Sequence, residues 1–164
     1  MRALIPIFTF LLFAVSSQAR TITVDDNIPA NFNNIQDAIN DSNDGDIIVV
    51  GPGTYTGYGN HDIDFDGKAI TVRSMDPNDP DIVTATIIDC NGTEDEPRRG
   101  FFFHNGEDEN SILEGFTITG GYISDDIMAI DPPFDGGGIY CTGSSPTIRN
   151  CIIRGNTALS LIHI

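Results

Sequence analysis

The sequence predicts an all-β solenoid, in which short parallel strands stack in successive coils and one α-helix covers the N-terminal end. Three observations predict it. The run "DIIVV" (Asp46–Val50) is almost continuously β-branched and apolar, then meets Gly51-Pro52-Gly53; a strand buried on both faces of a parallel sheet reads this way. Beyond residue 45 the chain is a series of short apolar runs punctuated by Gly, Asn, Asp and Pro, the signature of short strands and turns. Finally, "SILEGFTITG" (Ser111–Gly120) aligns with "PTIRNCIIRG" (Pro146–Gly155) at an offset of 35, and a fixed internal period is the mark of stacked repeats.

Taken in order, residues 1–19 come first. Arg2 precedes an apolar run from Leu4 to Val15, and Ser17-Gln18-Ala19 puts small residues three and one before a cut. This is the pattern of a secretory signal peptide. The run is short for a membrane span, so a retained anchor is the weaker alternative, and the mature chain is expected to begin at Arg20. One segment reads as helix: Phe32, Ile35, Ala38 and Ile39 fall at helical spacing, with Asn31 or Asn33 as N-cap and an end near Ser42. It is too short to persist without packing, and it is expected to cover the open end of the first coil, whose strand edges would otherwise invite association. "DIIVV" is then a strand of the first coil and Gly51-Pro52-Gly53 the corner to the next face. The runs "IDF", "AITVR", "ATIID", "GFFF", "SILEGFTI", "GGIYC" and "PTIRNCII" follow as further strands.

In the repeat, Leu113 meets Ile148, Phe116 meets Cys151, Ile118 meets Ile153, and Gly115 meets Asn150. Gly and Asn most easily take left-handed backbone angles, so their exchange predicts a sharp bend between two short strands. "GFFF" and "GGIYC" match upstream as another strand. Tyr122–Asp135 reads as a loop insertion, and without most of it the unit falls to about twenty-odd residues, a length typical of such repeats. The chain closes on "LSLIHI" (Leu159–Ile164), which is one reading frame of CTGTCTCTTATACACATC, a transposase adapter used in sequencing libraries. Residues 159–164 are therefore expected to be an artefact. Residues 20–158 are then expected to form the domain, as the N-terminal cap and first coils of something longer.

The net charge is −16, and −17 without the segment carrying Arg2. Such a surface repels nucleic acid and anionic membranes. Cys90, Cys141 and Cys151 are an odd set, each beside apolar residues. They read as buried free thiols more readily than as a bridge, and none has zinc-site spacing.

The helix "IQDAIND", then "GDIIVVGPGTYTG", "AITVRS" and "GGIYCTGSSPTIRNCIIRGN", resembles the N-terminal region of secreted right-handed parallel β-helix proteins of the pectin-lyase-like group, over about residues 21–158. The resemblance implies a right-handed parallel β-helix with an N-terminal capping α-helix, secreted or on the cell surface. The group includes pectate lyases, polysaccharide hydrolases, epimerases and non-catalytic surface proteins, so fold does not settle activity. Of the polygalacturonase motifs only Asp125-Asp126 has a counterpart here. Pectate lyases use calcium-binding carboxylates and an arginine base; Arg149, Arg154 and Arg98-Arg99 lie on or beside strands, with no carboxylate cluster assignable opposite them from sequence.

Among the remaining candidates, "DIDFDG" presents Asp62, Asp64 and Asp66 like the start of an EF-hand calcium loop, but position twelve is Arg73 instead of Glu. The competing reading is a strand with Ile63 and Phe65 inward and the aspartates outward, a row that would hold Ca²⁺ loosely. His61 and His104 are acid–base candidates without partners assignable from sequence. One ring of Phe101-Phe102-Phe103 must face outward, where it would stack on a sugar. "NGT" at Asn91 is a glycosylation acceptor if the source glycosylates exported proteins. The expected function is therefore an exported β-helix module, non-catalytic as it stands, whose partners are polysaccharide or other surface proteins. The alternative is the N-terminal part of a polysaccharide lyase or hydrolase whose catalytic coils lie elsewhere. No cofactor is expected beyond the calcium candidate.

Overall fold

A computed structural model describes residues 18–25, 29–124 and 136–159. The molecule is mainly β, and every pairing between its named strands is parallel. Strand β1 (Thr21–Val24) leads to helix α1 (Ile35–Asp41), then to β2 (Ile47–Val50), β3 (Gly53–Tyr55), β4 (Ile63–Asp64) and β5 (Thr71–Ser74). A second helix, α2 (Pro80–Ala85), precedes β6 (Thr86–Asp89), β7 (Phe101–Phe103), β8 (Ile112–Glu114), β9 (Thr117–Thr119) and β10 (Tyr122–Ser124). Last come β11 (Ile139–Cys141), β12 (Thr147–Arg149), β13 (Ile152–Ile153) and β14 (Thr157–Leu159).

The strands form four sheets: β1-β2-β5-β8-β12, β3-β6-β9-β13, β4-β7-β11 and β10-β14. From β2 onward the chain visits the first, second and third sheets, returns to the first, and repeats the order, with β10 and β14 of the fourth sheet added after β9 and β13. Such a course is compatible with a β-helix. The repeat read from sequence is the observed register, with Leu113 beside Ile148 and Ile118 beside Ile153. Gly115 (φ 82°) and Asn150 (φ 54°) both take left-handed angles, and a Cβ on Gly115 would lie 2.4 Å from Ser74 Oγ.

Aligned inward positions build the core. Ile22, Ile48, Val72, Leu113 and Ile148 are neighbours across the first sheet, and Tyr55, Ile88, Ile118 and Ile153 across the second. Each is buried except the last of its row, Ile148 at 37% and Ile153 at 53% exposure. Both lie on edge strands, with no described neighbour beyond. The same geometry corrects the expectation for the cysteines. All three are free, but while Cys90 is buried, Cys151 is half-buried and Cys141 is exposed. Cys141 stands beside the buried Phe103 on edge strand β11, which nothing described covers.

Helix α1 packs on β1, β2 and β4 through Ile35, Ala38 and Ile39, all fully buried. Its N-cap is Asn34, not Asn31 or Asn33. Asn34 Oδ1 accepts the Asp37 amide at 2.8 Å, and Asn34 Nδ2 donates to Asp37 Oδ2 at 2.7 Å. Asn34→Ala should cost about 1 kcal/mol in urea unfolding. The Gln36 side chain completes an exposed strand edge, donating to Asp64 O at 3.0 Å and accepting from Asp64 N at 2.9 Å. An edge strand's free backbone groups are otherwise a template for association.

Two further expectations are corrected, and one strand is added. α2 is a second helix, capped by Asp79 with Pro80 in its first turn. Its packing on β6 and β9 sustains six residues that could not stay helical alone. Thr21–Val24 is a strand. Tyr122–Ser124, read as the start of a loop, is a strand paired with Thr157–Leu159; residues 125–135 lie outside the described residues. Among the described residues no helix is long and apolar enough to cross a membrane.

Candidate functional site

The densest gathering of polar and aromatic groups is on the outer face of the third sheet. In Phe101–Phe103 the alternation sends Phe101 and Phe103 into the core and Phe102 outward. The register sets Asp64, Phe102 and Tyr140 side by side across β4, β7 and β11. Phe102 lies against the His104 ring, 3.8 Å between centroids at 8°, and against Tyr140 at 5.5 Å and 25°. The guanidinium carbon of Arg99 is 5.0 Å from the Phe102 centroid and 5.1 Å from that of Tyr140, within cation–π range. Arg99 is only 7% exposed, so the rings hold its charge beneath the surface.

The acids frame this group. Asp62 Oδ1 accepts the Arg99 amide at 3.2 Å and lies 3.7 Å from Arg99 Nε. Asp62 Oδ2 is 2.9 Å from His61 Nδ1. Asp64 Oδ2 is 2.9 Å from His104 Nε2, and Asn105 Nδ2 donates to the same oxygen at 3.1 Å. Both histidines thus have carboxylate partners, and Arg99 has the opposing carboxylate that could not be assigned from sequence. Ile63 and Phe65 point inward, as expected of "DIDFDG". The strand itself is two residues long, because Asp62 (φ 49°) and Asp66 (φ 55°) are left-handed bends on either side. Asp64 Oδ1 accepts the Asp66 amide at 2.7 Å, and Asp66 is exposed. Among the described residues no three His, Cys, Asp or Glu gather as a metal site would require.

Glu107 underlies this face. It is 2% exposed, with Oε1 accepting from the Gly67 amide at 3.0 Å and Oε2 from the Asn105 amide at 3.0 Å and Ser144 Oγ at 2.7 Å. These donors follow β4, β7 and β11, so one carboxylate ties three successive turns together. Burial pushes its pKa up, but the donated hydrogen bonds outweigh burial and leave it below the usual glutamate value.

The other candidates lie apart. Arg149 pairs with Glu114 and Arg98 with Glu96, while Arg154 is exposed immediately after β13. Burial, with Asp62 and Asp89 adding to it, pushes the Cys90 thiol up to about 12, which removes it as a nucleophile. Asp125 and Asp126 lie outside the described residues. Sequence reasoning overlooked Tyr140, Asn105 and Glu107. The alignment of "GFFF" with "GGIYC" already held the signal for Tyr140, since it puts Tyr140 beside Phe102. No family model, curated protein or solved structure matches the chain.

Proposed function

We propose that the chain is the N-terminal part of an exported right-handed parallel β-helix of the pectin-lyase-like kind, capped by α1, and that the outer face of its third sheet binds glycan. The repeated visiting of three sheets in one order, the repeat at an offset of 35 and the apolar leader support the architecture and export. The observation that carries the binding reading is the row Asp64, Phe102, Tyr140, with His104 and Arg99 packed on its rings. A pyranose offers one C–H face, which stacks on an aromatic plane, and a rim of hydroxyls, which hydrogen-bond to carboxylates and amides. Tyr140, at the half-buried end of the row, supplies the plane; Asp62, Asp64 and Asn105 supply the rim. Three exposed or half-exposed aspartates on this face repel uronates, so the glycan is neutral.

Affinity electrophoresis through neutral glucans, mannans and galactans, beside polygalacturonate, tests this. Retardation by a neutral glycan is expected. Tyr140→Ala should weaken it about tenfold, the loss of one aromatic contact of about 1.5 kcal/mol, while leaving the far-ultraviolet circular dichroism unchanged. Retardation by polygalacturonate alone would overturn the reading.

A second reading, the N-terminal part of a polysaccharide lyase or hydrolase, is favoured by the His104–Asp64 hydrogen bond, since an imidazole held by a carboxylate is a unit for proton transfer. It requires release of oligosaccharides from the same polymers, and that release must disappear in His104→Ala.

A further inference from the structure

Resting on the export reading above, we infer that cleavage after Ala19 creates a structural group, the α-ammonium of Arg20, which the buried carboxylate of Asp46 captures. Cleavage adds water across the Ala19–Arg20 peptide bond. The C–N bond breaks; the Ala19 carbonyl carbon takes the water oxygen and leaves as a carboxylate, and the Arg20 nitrogen takes both water protons and becomes an ammonium at neutral pH. The hydrolysing agent is a signal peptidase of the exporting cell.

The receiving site is already built. Asp46 is 1% exposed, and its Oδ1 accepts from the Arg20 main-chain nitrogen at 2.7 Å. That is the length of a charge-assisted N–H···O bond. Its Oδ2 accepts from Arg20 Nε at 3.0 Å, Arg20 Nη2 at 2.8 Å and the Asn43 amide at 2.9 Å. The Arg20 guanidinium also reaches Asp41, with Nη1 3.2 Å from Oδ2 and Nη2 2.6 Å from the carbonyl oxygen. One guanidinium therefore serves two carboxylates, and the ammonium adds the second positive charge. The other charged neighbours are committed elsewhere: Lys68 Nζ to the carbonyls of Ile39, Asn40 and Ser42, and Asp44 Oδ1 to the Ala69 amide.

The position is also where the sheet starts. Arg20 O accepts the Ile47 amide at 2.9 Å, the contact immediately preceding the β1–β2 ladder. The small-residue pattern that places the cut, and the contacts that make Arg20 the first anchored residue, are independent observations that converge on one peptide bond. Processing therefore exchanges a neutral amide donor for a charged one at the root of the first strand.

The full chain should be exported from a bacterial host and its N-terminus read by mass spectrometry. A start at Arg20 is expected. Its melting temperature should exceed that of a chain retaining Gln18 and Ala19 by about 3 °C, and the gap should close when both carry Asp46→Asn. A chain left uncut, or cut elsewhere, overturns both the export reading and this inference. A start at Arg20 with equal melting temperatures overturns the inference alone. Should Asp46→Asn fail to fold, amine acylation decides. Lys68 is the sole lysine, so only two amines react. The Arg20 amine should react at least about tenfold more slowly in the folded than in the urea-unfolded chain; equal rates overturn the capture.

Discussion

Replacing Phe103 with alanine is expected to lower stability by about 3–5 kcal/mol, the range for emptying a buried aromatic site. The Phe103 ring lies 4.9 Å from Phe65, edge to face, and 6.2 Å from Phe101, stacked; Phe101 in turn meets Phe116 at 6.3 Å. All four rings are fully buried. They come from three passes of the chain, Phe101 and Phe103 sharing β7, so none can shift to fill the void without moving a paired strand. A loss of this size is a large share of a typical domain's stability of about 5–15 kcal/mol. Urea titration measures it as a lower midpoint at unchanged slope. Phe102→Ala is the control: one residue away but facing outward, it should cost far less and act on binding. Similar losses for the two variants would mean that the inward–outward alternation in β7 is wrong.

Glu107→Gln is expected to cost about 1.5–3 kcal/mol at pH 7, the worth of hydrogen bonds to a charged group. The amide keeps one acceptor oxygen, but its NH₂ then faces a donor, either the Gly67 amide or the Asn105 amide and Ser144 hydroxyl. The pH dependence has a definite sign. The folded pKa of Glu107 lies below the unfolded value of about 4.3. Its contribution is therefore fully present above that unfolded value and is lost as pH falls through the lower folded one. The wild-type advantage over Glu107→Gln should hold from pH 7 to about 5.5 and shrink toward pH 3. An advantage that grew on acidification would show that burial, not hydrogen bonding, dominates at this carboxylate. Because Asn105 and the turns after β4 and β11 hang on Glu107, glycan binding should weaken together with stability.

Much of the strand layout was legible from local pattern. "DIIVV", "GFFF" and the aligned "SILEGFTI" and "PTIRNCII" could be placed because a strand buried against parallel neighbours leaves a short-range signature in its own residues. α2 was missed although Asp79-Pro80 is a helix-start signal: in so short a segment, packing on β6 and β9 decides the outcome. The candidate site was legible only in pieces. His104 and Asp64 are 40 residues apart, and the Arg99 amide meets Asp62 across 37.

What the sequence by itself determined is the repeating unit: most of its strands, the inward positions of "IDF" and "GFFF", and where Gly115 and Asn150 turn the chain. Only the tertiary structure decided which outward side chains join Phe102 and Tyr140. In the first sheet, successive partners are separated by 24, 41 and 35 residues (Ile47 to Thr71, Thr71 to Ile112, Ile112 to Thr147), so the offset of 35 read from the repeat does not by itself place Asp64 beside Phe102 and Tyr140, which lie 38 residues apart in succession. Loops of unequal length are absorbed at the surface at little cost, since loop-closure entropy grows only slowly with length. Core registry holds the strands in place, and the face they assemble is set by that registry, not by spacing along the chain.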